Sequence, residues 1–270
     1  MTSYQESALV LGIDIGTSGV RAVLMNSKFD VVAQSSSLMS NFGPNHRSPV
    51  VWWKSLESAL EQLRLKAPEQ WSHVEGISVD GTSGTMLALN NEFEPIGDAM
   101  MYNDPVENPD VLEQIRQHAP RESAAHGATS GLAKLMTLQE LSGCHRVLHQ
   151  ADWVLGKFIG EYRWSDENNS LKTGYDPILR EWPNWISQAK ARRVLLPDPK
   201  EPGQVTGEIH QKIANRFGLS KDIKIVSGTT DGCAAFLATG ATAFGDGVTS
   251  LGSTLVVKIL SDQPIFAPEY

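Results

Sequence analysis

Cysteine is scarce: among 270 residues only Cys144 and Cys233 occur, far apart and in no CxxC pair. That excludes a disulfide framework and a cysteine-rich zinc site, and it suits a reducing compartment. Long apolar runs are missing too. The apolar opening Ala8 to Ile13 stops at Asp14, and no later segment approaches the ~18 uninterrupted apolar residues of a membrane span. The first residues lack the basic region and apolar stretch of a secretory signal. A cytoplasmic protein with no membrane partner is expected. Positive charge is also short, with 23 Lys and Arg against 31 Asp and Glu and a formal net charge of −8. No basic patch gathers these few cations, which argues against a nucleic-acid partner.

What is present is an ordinary globular composition, long enough to bury a real core, with helix and strand patterns alternating as in an α/β fold. Ala8 to Ile15 reads as a buried strand, Gly16-Thr-Ser-Gly19 as a tight turn, and Val20 to Met25 and Val31 to Ser35 as two more strands. Val50 to Lys66 carries Trp52, Leu56, Ala59, Leu60 and Leu63 at helical spacing, and Gly76 to Asp80 returns as a strand. Helices are expected over 110–118, 132–141 and 152–158, and a loop or insertion over 164–183. Near the end, Ile223 to Ser227 reads as a strand, Gly228 to Gly232 as a turn, and Cys233 to Thr239 as a small-residue helix. Ile15 to Leu24 can be laid over Leu251 to Leu260, each an apolar residue, a glycine, two hydroxyl residues and a mostly apolar run.

The turn Gly16-Thr17-Ser18 offers backbone N–H groups and hydroxyls where the chain reverses, a geometry suited to phosphate oxygens. It is neither a P-loop nor GxGxxG, since no Lys-Ser/Thr closes it and a strand follows. Asp14 is placed for Mg²⁺ and Arg21 for phosphate charge. The plainer alternative is a hairpin whose Asp14 caps the turn and whose Arg21 is solvated. Asp231 carries a similar pair of readings, an N-cap for the following helix or a base accepting a hydroxyl proton. Thr82 and Ser83, with Tyr102, Asn103 and Asp104, supply the hydrogen-bonding groups and the aromatic face that suit a polyol, although each turn alone also reads as structural. His145 and His149 read as a helix surface rather than a metal site. Trp153, Trp164, Trp182 and Trp185 read as packing, and Lys190, Arg192 and Arg193 as a solvated helix end.

Taken together, Gly12 to Arg21, Tyr102-Asn-Asp104, Gly228-Thr-Thr-Asp-Gly232 and Ser250-Leu-Gly-Ser-Thr254 resemble the FGGY carbohydrate kinases in order and spacing. The resemblance runs from about residue 8 to about residue 260 and includes Leu132-Ala-Lys-Leu135, Gln150-Ala-Asp-Trp153, and Ser165-Asp166 leading to Thr173-Gly174. It implies an actin- and hexokinase-type architecture of two ribonuclease-H-like lobes, with sugar and ATP meeting between them. By that likeness residues 1–246 form the sugar-binding lobe and 247–270 the first hairpin of an ATP-binding lobe that is otherwise largely missing.

The resemblance further implies ATP and Mg²⁺ as cofactors, Asp14 serving substrate, metal and phosphate, Gly252, Ser253 and Thr254 holding ATP phosphates, and Asp231 as the base. The loop Gly81-Thr-Ser-Gly-Thr85 departs from the Arg-Glu pair of glycerol kinases and the Met-His-Gly of xylulokinases, and many xylulokinases have Trp where Tyr102 stands. The loop looks more like ribulose and xylulose kinases of cyanobacteria and plants, so the expected substrate is a ketopentose. The rival expectations are a sugar-binding or regulatory remnant without catalysis and an actin-like nucleotide switch or filament protein. The oligomeric state stays open, a homodimer included, and the 270-residue chain alone is expected to lack kinase turnover.

Overall fold

The computed structural model describes residues 8–251 and 255–265. Strand β1 (Leu9–Ile15) runs antiparallel to β2 (Gly19–Met25), which pairs antiparallel with β3 (Val31–Leu38). Along β1 alternate residues Leu9, Leu11, Ile13 and Ile15 are buried, the period of a sheet with a core on one face. Helix α1 (Pro49–Lys66) starts on a proline, whose missing N–H costs nothing at that position, and lays Trp52, Leu56, Ala59, Leu60 and Leu63 in one buried stripe against β2 and β3. After the short α2 (Pro68–Trp71), β4 (Val74–Gly81) enters parallel to β1.

β5 (Met86–Leu89) and β6 (Arg146–His149) form a separate antiparallel ribbon, with α3 (Pro109–His118) and α4 (Gly131–Leu138) between them in the chain. Then follow α5 (Gln150–Ile159), β7 (Trp164–Asp166), α6 (Glu167–Leu171), α7 (Trp185–Gln188), β8 (Asp198–Lys200), β9 (Val205–Glu208) and α8 (Gln211–Phe217). β10 (Lys224–Thr230), α9 (Asp231–Leu237) and the hairpin β11 (Gly247–Leu251) with β12 (Leu255–Ile259) complete the order. Among the described residues the main sheet has the order β3-β2-β1-β4-β10-β9, and β1, β4 and β10 are parallel.

The β5–β6 ribbon divides two cores. Leu87 and Leu89 face the sheet core with Trp52, Trp153 and Phe158, whereas Met86 and Ala88 face a second core with Leu132, Leu135, Trp182 and Ile186. The stretch expected to be a loop over 164–183 is instead partly ordered as β7 and α6, held by buried polar groups. Asp166 accepts the Asn169 backbone N–H at 2.8 Å and its side-chain amide at 2.6 Å, and Ser170 bonds Ser165 at 3.1 Å. His149 is not on a helix surface. It ends β6 with 2% exposure, Nε2 lies 3.1 Å from Thr173 Oγ1, and burial pushes its ring down to about 3, which keeps it neutral.

Candidate active site

Because β1, β4 and β10 are parallel, their carboxyl ends share one edge, where open α/β sheets place their ligand crevice. The register sets Asp14 beside Asp80 and Asp80 beside Thr229, and Asp231 follows directly as the first residue of α9. The cap of α9 is Thr230, whose hydroxyl accepts the Cys233 N–H at 3.2 Å. Thr230 therefore holds the cap position, and Asp231 is the first helical residue rather than the cap. Its Oδ1 accepts the Gly232 N–H at 2.7 Å and lies 3.4 Å from the Ser83 N–H.

Asp80 was not among the residues singled out in the sequence, yet it sits between the other two carboxylates. Burial first, then the negative Asp14 and its hydrogen bond, then Asp231, push Asp80 up to about 8, with Arg21 opposing. Its Oδ1 is buried without a partner. A signal was available: Val79-Asp-Gly-Thr-Ser83 closes β4 much as Ile13-Asp-Ile-Gly-Thr-Ser18 closes β1.

The turn after β1 is closed by Gly16 N–H donating to Gly19 O at 3.0 Å, and Arg21 Nη1 donates to Asp14 Oδ2 at 3.1 Å. Thr17 and Ser18 line a cleft of about 420 Å³ together with Tyr102 and Asn103, so two regions distant in the chain meet there. Tyr102 is 46% exposed, and its loop is held from below. Tyr102 N–H donates to Thr85 Oγ1 at 2.9 Å, and the buried Lys134 donates to Tyr102 O at 3.1 Å and Gly84 O at 2.7 Å. Burial lowers the Lys134 ammonium to about 8 despite the nearby Asp104.

Thr82 and Asp104 have their polar atoms engaged within the protein. Thr82 Oγ1 lies 2.8 Å from Gln150 Oε1 and 2.7 Å from Thr85 Oγ1, and the residue is buried. Asp104 is gripped by both terminal nitrogens of Arg47 and accepts the Met101 N–H at 2.7 Å, and the Arg47 bond holds its carboxyl below the usual range. Both residues brace loops in this structure. Ser83 Oγ is buried without a partner, and the backbone N–H of the same residue faces Asp231 Oδ1.

Gly252, Ser253 and Thr254 lie outside the described residues. The hairpin that flanks them is anchored to the site by Lys258, whose ammonium donates to Gly232 O at 2.5 Å. No group of three or more His, Cys, Asp or Glu fit to hold a bare metal ion occurs among the described residues. One or two strand-end carboxylates with an orphaned oxygen nearby match the sparse protein ligation of Mg²⁺, which takes its other ligands from water and phosphate.

The family model of the FGGY carbohydrate kinases, N-terminal domain, matches residues 9–238. The chain belongs to the FGGY family of carbohydrate kinases. This FGGY chain is 28% identical to xylulose kinase from Lactococcus lactis over 269 residues, covering 92% of this chain and 52% of the relative. Its fold matches the crystal structure of xylulose kinase from Rhodospirillum rubrum with a TM-score of 0.84 at 22% identity, over 96% of this chain and 56% of the other. Gluconate kinase from Lactobacillus acidophilus matches with a TM-score of 0.78 at 15% identity, over 96% of this chain and 55% of the other. The actin- and hexokinase-type fold is therefore present, and the chain spans about half the length of the curated relatives it matches.

Proposed function

We propose that this lobe belongs to an ATP-dependent kinase that phosphorylates a primary hydroxyl of a ketopentose, D-ribulose or D-xylulose. The observation that carries the reading is the gathering of Asp14, Asp80 and Asp231 at one sheet edge, with the cap position of α9 taken by Thr230 and not by Asp231. The sugar lies in the crevice between that edge and the Tyr102 loop, with Ser83, Tyr102 and Asn103 as direct partners and Thr82 and Asp104 holding their loops in place. Asp231 accepts the hydroxyl proton as the oxygen bonds to the γ-phosphorus of ATP and ADP leaves. Backbone N–H groups and hydroxyls of Gly16, Thr17 and Ser18, with Arg21, receive phosphate oxygens, and Gly252 to Thr254 do so from the opposite hairpin. Mg²⁺ belongs at Asp14, where it would neutralise phosphate charge.

Residues 1–246 act as the sugar lobe and 247–270 as the start of the nucleotide lobe, so turnover requires a second lobe. A coupled assay for ADP, run on the protein carrying both lobes with D-ribulose and D-xylulose, tests this. Sugar-dependent ATP consumption is expected. Calorimetric binding of a pentulose with no sugar-dependent ADP from the two-lobe protein would contradict the proposal.

A further inference from the structure

Away from the carboxylate edge, a surface cavity of about 370 Å³ is lined by three arginines, Arg146, Arg163 and Arg193. They come from the start of β6, the segment before β7 and the turn before β8, so only the fold brings them together. Two carboxylates share the cavity. Asp198 is held by Arg163 Nε at 2.6 Å, and Glu161 adds its charge to the same guanidinium.

Arg146 and Arg193 keep their charge unpaired: neither forms an ion pair among the described residues. Arg146 is half-buried, donates from Nη1 to Leu196 O at 2.7 Å, and has its Nε buried with no partner at all. Burial and the neighbouring Arg163 lower its pKa, with Asp198 opposing from beyond ion-pair distance. With three arginines against two carboxylates, the cavity keeps a net positive charge in a protein of net charge −8, and an anion would balance it. Beside the cations stands an aromatic wall, Tyr162 stacked on Phe93 with centroids 5.2 Å apart and planes 18° apart.

We propose that this cavity is a binding site for a small phosphorylated metabolite, with the phosphate between Arg146 and Arg193 and the organic body against the Tyr162–Phe93 stack. Guanidinium pairs are the preferred fork for phosphate oxygens. The volume falls at the small end of ligand pockets, which suits a metabolite rather than a macromolecule. The site is linked to the sugar crevice by the β5–β6 ribbon: Arg146 pairs with Leu89 at one end, and His149 pairs with Met86 at the other, next to the Thr85 hydroxyl that holds Tyr102. An occupant here therefore sits at the far end of a rigid element from the sugar loop.

The test is calorimetric titration of the purified protein with inorganic phosphate, with glycerol 3-phosphate and with phenyl phosphate, at constant ionic strength. The proposal expects millimolar or tighter binding, with phenyl phosphate tightest because its ring can stack. Arg193→Glu, at an exposed position, should leave the melting temperature unchanged and weaken every ester at least tenfold. Arg146→Met should weaken the esters to a similar degree. Ester affinities unchanged in Arg193→Glu, or no binding of any probe at 20 mM, would overturn the site. Equal affinity for inorganic phosphate and both esters would overturn the role given to the aromatic wall.

Discussion

Asp80 is held well away from its free-chain behaviour by burial and by the carboxylates beside it. Its folded pKa is raised, so the native state holds a proton that the unfolded chain releases. The associated stability is fully present below the ordinary carboxylate value near 4 and is lost as pH rises toward about 8. Asp80→Asn removes the titration while keeping the shape. Urea unfolding should therefore show the variant gaining on the native protein as pH rises from 5 to 8.5, by at least ~1 kcal/mol at the upper end. A difference that does not change with pH would contradict this account of the cluster. Asp14 and Asp231 were legible in the sequence because each lies at a strand end beside a glycine- and hydroxyl-rich turn. Asp80 carries the same signature, but its partnership with Asp14 is a matter of strand register, which no local pattern displays. The grip of Arg47 on Asp104 is likewise tertiary, whereas the Thr230 cap is local, three residues from the Cys233 N–H it accepts.

At the scale of elements, the decisive contact is between β4 and β10, where the register shifts between Val226 and Thr229. A Cβ on Gly228 would fall 1.8 Å from Val79 O, so only glycine lets the two backbones approach there. Gly228→Ala should cost about 3 kcal/mol or more, or leave the protein unable to fold. Gly12→Ala, where a Cβ meets nothing within 4 Å, should change stability by less than about 1 kcal/mol. Equal denaturant midpoints for the two variants would show that this strand contact does not matter. The first hairpin, α1 and β4 were readable because each buries one face with the period of its own structure. β5 was not, since all its residues are buried between two cores and its apolar run shows no alternation. α6 was missed for the opposite reason, its buried surface being polar and satisfied by Asp166 and Asn169.

For the whole molecule, the end of the described chain is unlike the rest. α9 buries no residue, and the hairpin leaves Leu251, Leu255, Val257 and Ile259 exposed, Leu251 by 85%. Such apolar surface fits a further lobe packing on α9 and the hairpin, in keeping with relatives about twice as long. On the proposed function, the sheet edge of β1, β4 and β10 would face the nucleotide and Asp231 would take the hydroxyl proton. The most direct measurement is steady-state turnover of Asp231→Asn in the two-lobe protein, with sugar affinity followed by calorimetry. A fall in kcat of at least ~100-fold with the sugar Kd within about threefold of the native value is expected. Turnover close to the native rate would contradict the assignment of Asp231 as the base.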